Sequence, residues 1–435
     1  MWIAAIALAT AIGLLVALEL GVRFVASRPC RVDFYGSVAR ERVRALQDEV
    51  GVRANRGPGF VHLGWVADPE RERYRIEREA GGRWDAVGEA RTGSFLARAG
   101  GRLRVLAVGP GGERVLGEAT VEPEPGCPPV LVPRVAGPWR FLFRPTRSGD
   151  YVNDHCVFQD ARGGWRLVGI TGPGAGDYSK ERRLAVGASE TFPPPEGMRE
   201  EAPLADFGEL AWAPCAVRAQ DGFWLFWSPH VLRRMRSPDG IAWSEPEVVL
   251  AATQHPFFRD ATVVEVAPGQ WLLYATARGR FFSRVDVYQS FDLRHWQYIR
   301  PALRTGLGSE RNAPMASTES PSVVQREGRW YLAVTYTNDT GGFAAALLAL
   351  RVLLRKASYN DTLVFHAESP YDFGCYRGRR RAPTLLTRLE AHAPELVEHP
   401  GTGEWWITTA GWPWAATLTR GEVAVAPLAW EPRGE

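Results

Sequence analysis

The sequence predicts an all-β protein, a five-bladed β-propeller preceded by a smaller β-sandwich and by an apolar helix at the N-terminus. Five segments of one pattern recur in the C-terminal part of the 435-residue chain, and apolar and polar residues alternate between residues 60 and 121. The first 18 residues carry no charge. The high counts of Gly (45) and Pro (32) suit many short strands joined by tight turns.

The composition excludes several classes of function. A net charge of +3 and the lack of a long basic tract argue against nucleic acid as a partner. The five cysteines, at positions 30, 127, 156, 215 and 375, are too few and too scattered for a disulfide framework. They form no cluster with zinc-ligand spacing, so we predict no metal-ligating residues.

Residues 1–30 are predicted to be a membrane anchor or a signal segment. The apolar stretch continues to Val22, close to the ~20 residues that span a bilayer as a helix. No Ala-x-Ala cleavage site follows cleanly, which favours an uncleaved anchor. Arg23, Arg28 and Arg31 follow the stretch, and the positive-inside rule would leave the rest of the chain in the cytoplasm. The predicted fold is usually extracytoplasmic, so we expect a membrane-anchored or secreted protein outside the cytoplasm.

Residues 31–57 are predicted to form a juxtamembrane helix and a linker. Ser37 can cap a helix over 37–50 that places Val43, Leu46 and Val50 on one face. Gly57-Pro58-Gly59 then breaks the chain.

Residues 58–123 alternate with period two, as expected of an antiparallel sandwich. The segments VHLGW, YRIER, GRWDAVGEA and RLRVLAVGPGG resemble a fibronectin type III domain, with its early Trp at Trp65 and its following Tyr at Tyr74. The resemblance implies a spacer or an adhesive surface. Residues 124–135 are predicted to be a stiff Pro-rich linker, so that residues 130–435 should fold without the first 122.

The repeats predict the propeller, over residues 136–435. Each has a polar or aromatic opening, a short apolar strand, a turn and a Trp-rich second strand, and they start at Asn153, Trp212, Arg259, Glu319 and His392. Similar hairpins at 236–250 and 289–303 supply further strands, which gives five units of four antiparallel strands.

The opening residues indicate where the chemistry lies. In a propeller the first residues of the innermost strands meet at one mouth of the central channel. The residues that should converge there are Asp154, Trp212, Arg259, Asp260, Glu319 and His392. Three close carboxylates push at least one pKa upward, and two carboxylates of unequal pKa are what cleavage of a glycosidic bond requires.

The openings resemble those of the five-bladed glycoside hydrolases of family 43, with the fructosidases of family 32 as relatives. The motifs are Asn153-Asp154 in blade one, Arg259-Asp260 in blade three and Glu319-Ser320-Pro321 in blade four, with His392 in blade five. His155 stands where these enzymes usually have Pro, and Ser320 where they have Gly or Ala.

The resemblance implies a role for each of these residues. Asp154 would be the general base (or the nucleophile of a retaining enzyme), Glu319 the general acid, and Asp260 the group that raises and orients that acid. Arg259, Trp212 and His392 would bind substrate. Family 43 favours inversion and requires no cofactor, although many members hold a structural calcium ion in the channel near the residue that matches His392.

Two alternatives stay open. The propeller could bind glycan at the cell surface without cleaving it, a reading that the changes at His155 and Ser320 favour and the three retained carboxylates oppose. It could also be a glycosyl transferase or a phosphorylase on the same fold. Phosphorolysis would want more cationic residues at the mouth than Arg259, the only one in the five openings.

Overall fold

The computed structural model describes residues 13, 41–68, 71–147, 150–172, 178–204, 206–251, 258–278, 283–305, 317–337, 360–376, 384–413 and 417–433. The anchor or signal segment predicted over 1–30 lies outside these ranges except for Gly13. Within them, no helix has both the length and the apolar character needed to cross a membrane.

An α-helix, α1, precedes the first strand. Helix α1 spans Glu41–Val50, inside the predicted 37–50. Its buried side chains Val43 and Gln47 face the sandwich, where Gln47 donates to Glu72 at 2.8 Å and accepts from Arg114 at 2.5 Å. The helix is therefore docked on the sandwich.

Two antiparallel sheets follow, as the alternation predicts. Their strands are β1 (Val52–Gly57), β2 (Phe60–Trp65), β3 (Arg73–Ala80), β4 (Arg83–Ala90), β5 (Ser94–Ala97), β6 (Gly101–Gly109) and β7 (Gly112–Val121). The sheet orders are β1-β2-β5 and β4-β3-β6-β7, and Trp65 and Tyr74 pack between them, fully buried. The sandwich begins at Val52, six residues before the predicted boundary, because β1 pairs with β2 along its whole length.

The repeats form five further sheets. Blade one contains β10 (His155–Gln159), β11 (Trp165–Thr171), β12 (Arg183–Ser189) and β13 (Arg199–Leu204). Blade two contains β14 (Trp212–Ala219), β15 (Gly222–Ser228), β16 (Val231–Ser237) and β17 (Glu247–Ala251). A short 3-10 turn, Tyr178–Lys180, lies between β11 and β12.

Blade three contains β18 (Phe258–Ala267), β19 (Gln270–Arg278), β20 (Ser283–Ser290) and β21 (Gln297–Thr305), with β25 (Gly374–Tyr376) parallel to β21. Blade four contains β22 (Ser317–Arg326), β23 (Arg329–Thr337), β24 (Asp361–Ala367) and β26 (Leu385–Glu390). Blade five contains β27 (Leu396–Glu398), β28 (Trp405–Thr409) and β29 (Val423–Pro432), which pairs with β8 (Leu131–Val135) and β9 (Arg140–Phe143).

Neighbouring blades share apolar cores, which orders the five sheets in a ring. Successive cores join blades one and two, two and three, three and four, and four and five. The ring closes between blades five and one, where Val425 packs in one core with Leu167. This arrangement is consistent with the predicted propeller, since each sheet buries both faces against its neighbours.

Blade five is completed from the other end of the propeller sequence, which corrects one predicted boundary. Strand β8 lies inside the segment 124–135 that was predicted to be linker, yet it pairs with β29 from Val135↔Leu428 to Leu131↔Pro432. Without β8 and β9, the edge of β29 would present unpaired backbone groups. The segment without strands therefore ends at residue 130.

The sandwich rests on blade three through buried polar groups. Asn55 donates to Gln270 at 2.5 Å, and Gln289 donates to the carbonyl oxygen of Gly93 at 3.1 Å. The backbone N–H of Ala67 donates to Gln297 at 3.2 Å. All three glutamines are at most 3% exposed, so the two domains share an interface that excludes water.

Candidate active site

The opening residues of the innermost strands share an unusual backbone. Ala213, Asp260, Ser320 and Ala393 have φ values of 45°, 56°, 48° and 44°, in the left-handed region that non-glycine residues seldom adopt. In blades two, three and four this residue sits in a break of the strand register. Such a bulge turns the side chains at the start of the strand toward a new direction.

These residues meet around one small, partly open cavity of about 20 Å³, which is room for a water molecule. Its walls come from all five blades, and they comprise Asp154, His155, Ala213, Pro214, Asp260, Ala261, Thr262, Ser320, Pro321, Ala393 and Glu395. Because the blades form a ring, this cavity lies where their first strands converge.

Asp154 occupies the blade-one position just before β10. Its Oδ2 accepts from the side-chain amide of Asn153 at 2.7 Å, and its Oδ1 accepts from the hydroxyl of Ser320. The side chain is buried, and burial raises the pKa of Asp154. The hydrogen bond from Ser320 opposes that rise, and the charge of Glu319 adds to it.

Asp260 lies beside Asp154 across Ser320. Its Oδ2 accepts from the backbone N–H of Ser320 at 3.1 Å, and its own N–H donates to the hydroxyl of Ser228 at 3.1 Å. Burial raises the pKa of Asp260 to about 7, against the opposing influence of Arg259. Asp260 can therefore keep a proton close to neutral pH.

Glu319 and Arg259 form an ion pair at the same site. Arg259 Nη2 lies 2.5 Å from Glu319 Oε1, and Arg259 Nε lies 3.7 Å from Asp260 Oδ2. Both carboxyl side chains are 3% exposed, so little water screens these interactions. The guanidinium thus balances part of the negative charge that the three carboxylates bring together.

The predicted residues fall into two groups with respect to this cavity. Asp154 and Asp260 line the cavity directly. Trp212, Glu319 and His392 each stand one residue before a lining residue, and Glu319 reaches the group through Arg259. The ring of His392 lies 5.4 Å from that of Trp412, and its backbone N–H donates to Thr409 at 2.9 Å.

Two further carboxyl groups escaped the sequence analysis. Glu181, 1% exposed, accepts at Oε1 from the hydroxyl of Tyr151 and from Trp412 Nε1 at 3.2 Å. Burial raises its pKa to about 7, and the charge of Asp154 adds to the rise. Glu395 lines the cavity, and its removal from bulk water raises its pKa to about 8.

The signals for these two residues differ. Glu395 stands three residues after the opening residue His392, so it could have been found by extending the repeat alignment inward. Glu181 lies in the connection between β11 and β12, where the repeats have no common pattern. Nothing in the sequence alone marks it.

The residues near His392 do not fit a calcium site. Calcium takes six to eight oxygen ligands, whereas the ring of His392 faces the indole of Trp412. Across the described ranges, no group of three His, Cys, Asp or Glu side chains is arranged to hold a metal ion.

No protein-family model and no curated protein matches the sequence. The chain is similar to a thermostable family-43 glycoside hydrolase (14% identity, TM-score 0.44, covering 68% of this chain and 96% of that one). It is also similar to an endo-arabinase from Bacteroides thetaiotaomicron (12% identity, TM-score 0.44, covering 66% and 97%). A third similar structure is a fructofuranosidase from Schwanniomyces occidentalis (14% identity, TM-score 0.44, covering 67% and 58%). Likeness at this level does not establish what the chain does.

Proposed function

We propose that the protein is a glycoside hydrolase. One observation carries the proposal: carboxylates from blades one, three and four, together with one arginine, form a single contact network beside a cavity in the ring of blades. Buried like charges destabilise the folded state, so their grouping here points to a functional site, and paired carboxyl groups are the tools of glycosidic bond cleavage.

Each residue has a role in the proposed reaction. Asp154 removes a proton from the attacking water, Glu319 protonates the leaving oxygen, and Asp260 tunes and orients that acid. Trp212 and His392, each one residue before a residue that lines the cavity, are the candidates for contact with the sugar. Following the family-43 resemblance, we propose inversion of the anomeric carbon.

The ion pair places a condition on this reaction. A cation beside a carboxyl group favours its charged form, so Glu319 can act as an acid only when Arg259 is drawn elsewhere. In the proposed complex the sugar supplies oxygen atoms that accept from Arg259, and Glu319 takes up from solvent the proton that it later donates to the leaving oxygen. Asp260, with its raised pKa of about 7, holds a proton beside the pair.

The test is a screen of aryl glycosides, comprising the arabinofuranoside, xyloside, fructoside and galactofuranoside. The wild type should cleave at least one, and Asp154→Asn should abolish turnover because no base then activates water. Asp160→Asn is the matched control: Asp160 follows the same strand β10 at its far end and caps the turn by accepting from Gly164 N–H at 3.0 Å. Full activity of Asp154→Asn would contradict the proposal.

One observation favours a second candidate, a propeller that binds glycan without cleaving it. Both oxygens of Asp154 already accept hydrogen bonds, and Glu319 is already paired. A binding protein would show no turnover in the screen and would retain glycan affinity in Asp154→Asn. A transferase or phosphorylase would need acceptor or phosphate for any turnover.

We further propose that residues 52–121 form a fibronectin type III-like spacer that holds the propeller outside the cytoplasm. The three-plus-four strand arrangement and the buried Trp65–Tyr74 pair support this reading. The predicted anchor within residues 1–30 would attach the protein to the membrane.

A further inference from the structure

Ser320 joins the two carboxyl groups that line the cavity. Its hydroxyl donates to Asp154 Oδ1, and its backbone N–H donates to Asp260 Oδ2 at 3.1 Å. The break of strand register between Glu319 and Ser322 and the φ of 48° set the direction of both donors. One residue of blade four therefore fixes the position of a blade-one and a blade-three carboxyl group.

Other blades lack this hydroxyl at the matching position. Ala213 of blade two and Ala393 of blade five have nearly the same φ, at 45° and 44°, and both line the cavity. Their methyl groups cannot donate a hydrogen bond. The positive φ is thus a shared feature of the repeats, whereas the hydroxyl is a feature of blade four, which contacts Asp154.

We propose that Ser320 is a positioning residue that holds the Asp154 carboxylate toward the cavity and favours its charged form. The inference rests on the proposed function, in which Asp154 must be charged to accept a proton from water. A hydrogen bond donated to a carboxylate favours the charged form and is worth more than a bond between neutral groups. Asn153 holds the second oxygen at 2.7 Å, so the carboxylate is fixed at both ends.

This hydrogen bond acts against strong opposing influences. Burial disfavours the charge on Asp154, as does the nearby charge of Glu319, whereas Arg259 favours it. Asp260 and Glu395 border the same cavity, and Glu181 responds to the charge of Asp154. His155 is neutral near pH 7, since burial lowers its pKa to about 4. Ser320 and Asn153 are thus neutral donors to Asp154 in a group dominated by acids.

The test uses Ser320→Gly, because glycine adopts a positive φ without strain and only the hydroxymethyl group is lost. The acidic limb of the kcat/KM profile should move up by about one to two pH units in this variant. Ala213→Gly places glycine at the matching position of blade two without removing a hydroxyl, so the acidic limb should not move. An unmoved limb in Ser320→Gly, or an equal shift in Ala213→Gly, would overturn the proposal.

A double-mutant cycle tests the contact without any turnover. In urea unfolding, Ser320→Gly should lower the midpoint more in the wild type than in an Asp154→Ala background, where the bond no longer exists. Equal losses in the two backgrounds would refute the positioning role. If Ser320 and Asp154 are coupled in stability but the protein cleaves none of the glycosides, the hydrolase proposal is refuted and the contact between the two residues stands.

Discussion

Glu181 is one of the buried carboxyl groups whose titration should be visible in the stability of the protein. Its pKa is raised by burial to about 7 in the folded state, from 4.5. Between these values the folded chain binds more protons than the unfolded chain, so the free energy of unfolding falls as the pH rises. Asp260, with a pKa raised to about 7, adds to the same fall.

Glu181→Gln should flatten this pH dependence. The amide oxygen can still accept from Tyr151 and Trp412, but the group no longer titrates. Below pH 4.5 the wild type and the variant should have similar free energies of unfolding. Between pH 4.5 and pH 7 the free energy of unfolding of the variant should rise relative to that of the wild type by up to about 1.4 kcal/mol per pH unit. Urea unfolding of both proteins at pH 5, 6 and 7 measures this difference. If the free energies of unfolding of the two proteins change in parallel with pH, the raised pKa of Glu181 is contradicted.

The sequence could identify the opening residues but not the contacts between them. Asp154, Asp260 and Glu319 were identifiable because the repeats align them at one strand position. Ser320 stands out in the sequence only as a departure from a family motif, and nothing in that pattern indicates that its hydroxyl contacts Asp154. Side-chain contact across blades depends on the left-handed backbone at residue 320, which no local pattern encodes.

At the scale of single elements, local turn chemistry was predictable. The hairpins predicted over 236–250 and 289–303 contain matching turns, in which Asp239 accepts from Ile241 N–H at 2.9 Å and Asp292 from Arg294 N–H at 2.9 Å. The apolar segment GEVAVAPLAW, which predicts a strand over 421–430, overlaps β29 (Val423–Pro432). These elements are set by residues a few positions apart, so the sequence carries their signal.

Closure of blade five was not predictable in the same way. Strand β8 contains Pro133 and follows a Pro-rich stretch, a composition typical of linkers. Pro133 pairs with Trp430 of β29, almost three hundred positions later in the chain. The register of that pair follows from completing the ring, which is a property of all five blades together.

At the scale of the whole molecule, the order of sandwich and propeller was predictable, since the period-two pattern and the repeats occupy separate parts of the chain. The interface between the two was not predictable. Its buried glutamines have the spacing of ordinary polar residues on a strand; they are Gln270, Gln289 and Gln297. Their burial against the sandwich changes the expected behaviour of a shortened chain.

Residues 130–435 should fold cooperatively, because they retain β8 and β9 and all five blades. Their unfolding midpoint in urea should nevertheless be lower than that of the full chain, as each lost hydrogen bond contributes about 0.5–1.5 kcal/mol. In the full chain, Asn55→Ala leaves Gln270 without one buried partner and should lower stability by about 1–3 kcal/mol. Equal midpoints for both chain lengths would show that the interface adds no stability.

The most direct test of the central claim compares Glu319→Gln with the wild type on two glycosides that differ only in their leaving group. If the carboxyl groups around the cavity cleave glycosidic bonds with Glu319 as the acid, the variant should lose about 10²–10⁴-fold in kcat/KM on an alkyl glycoside. On an activated aryl glycoside, whose leaving group departs without protonation, the loss should be much smaller. Equal losses on both substrates would contradict the acid role and the account built on it.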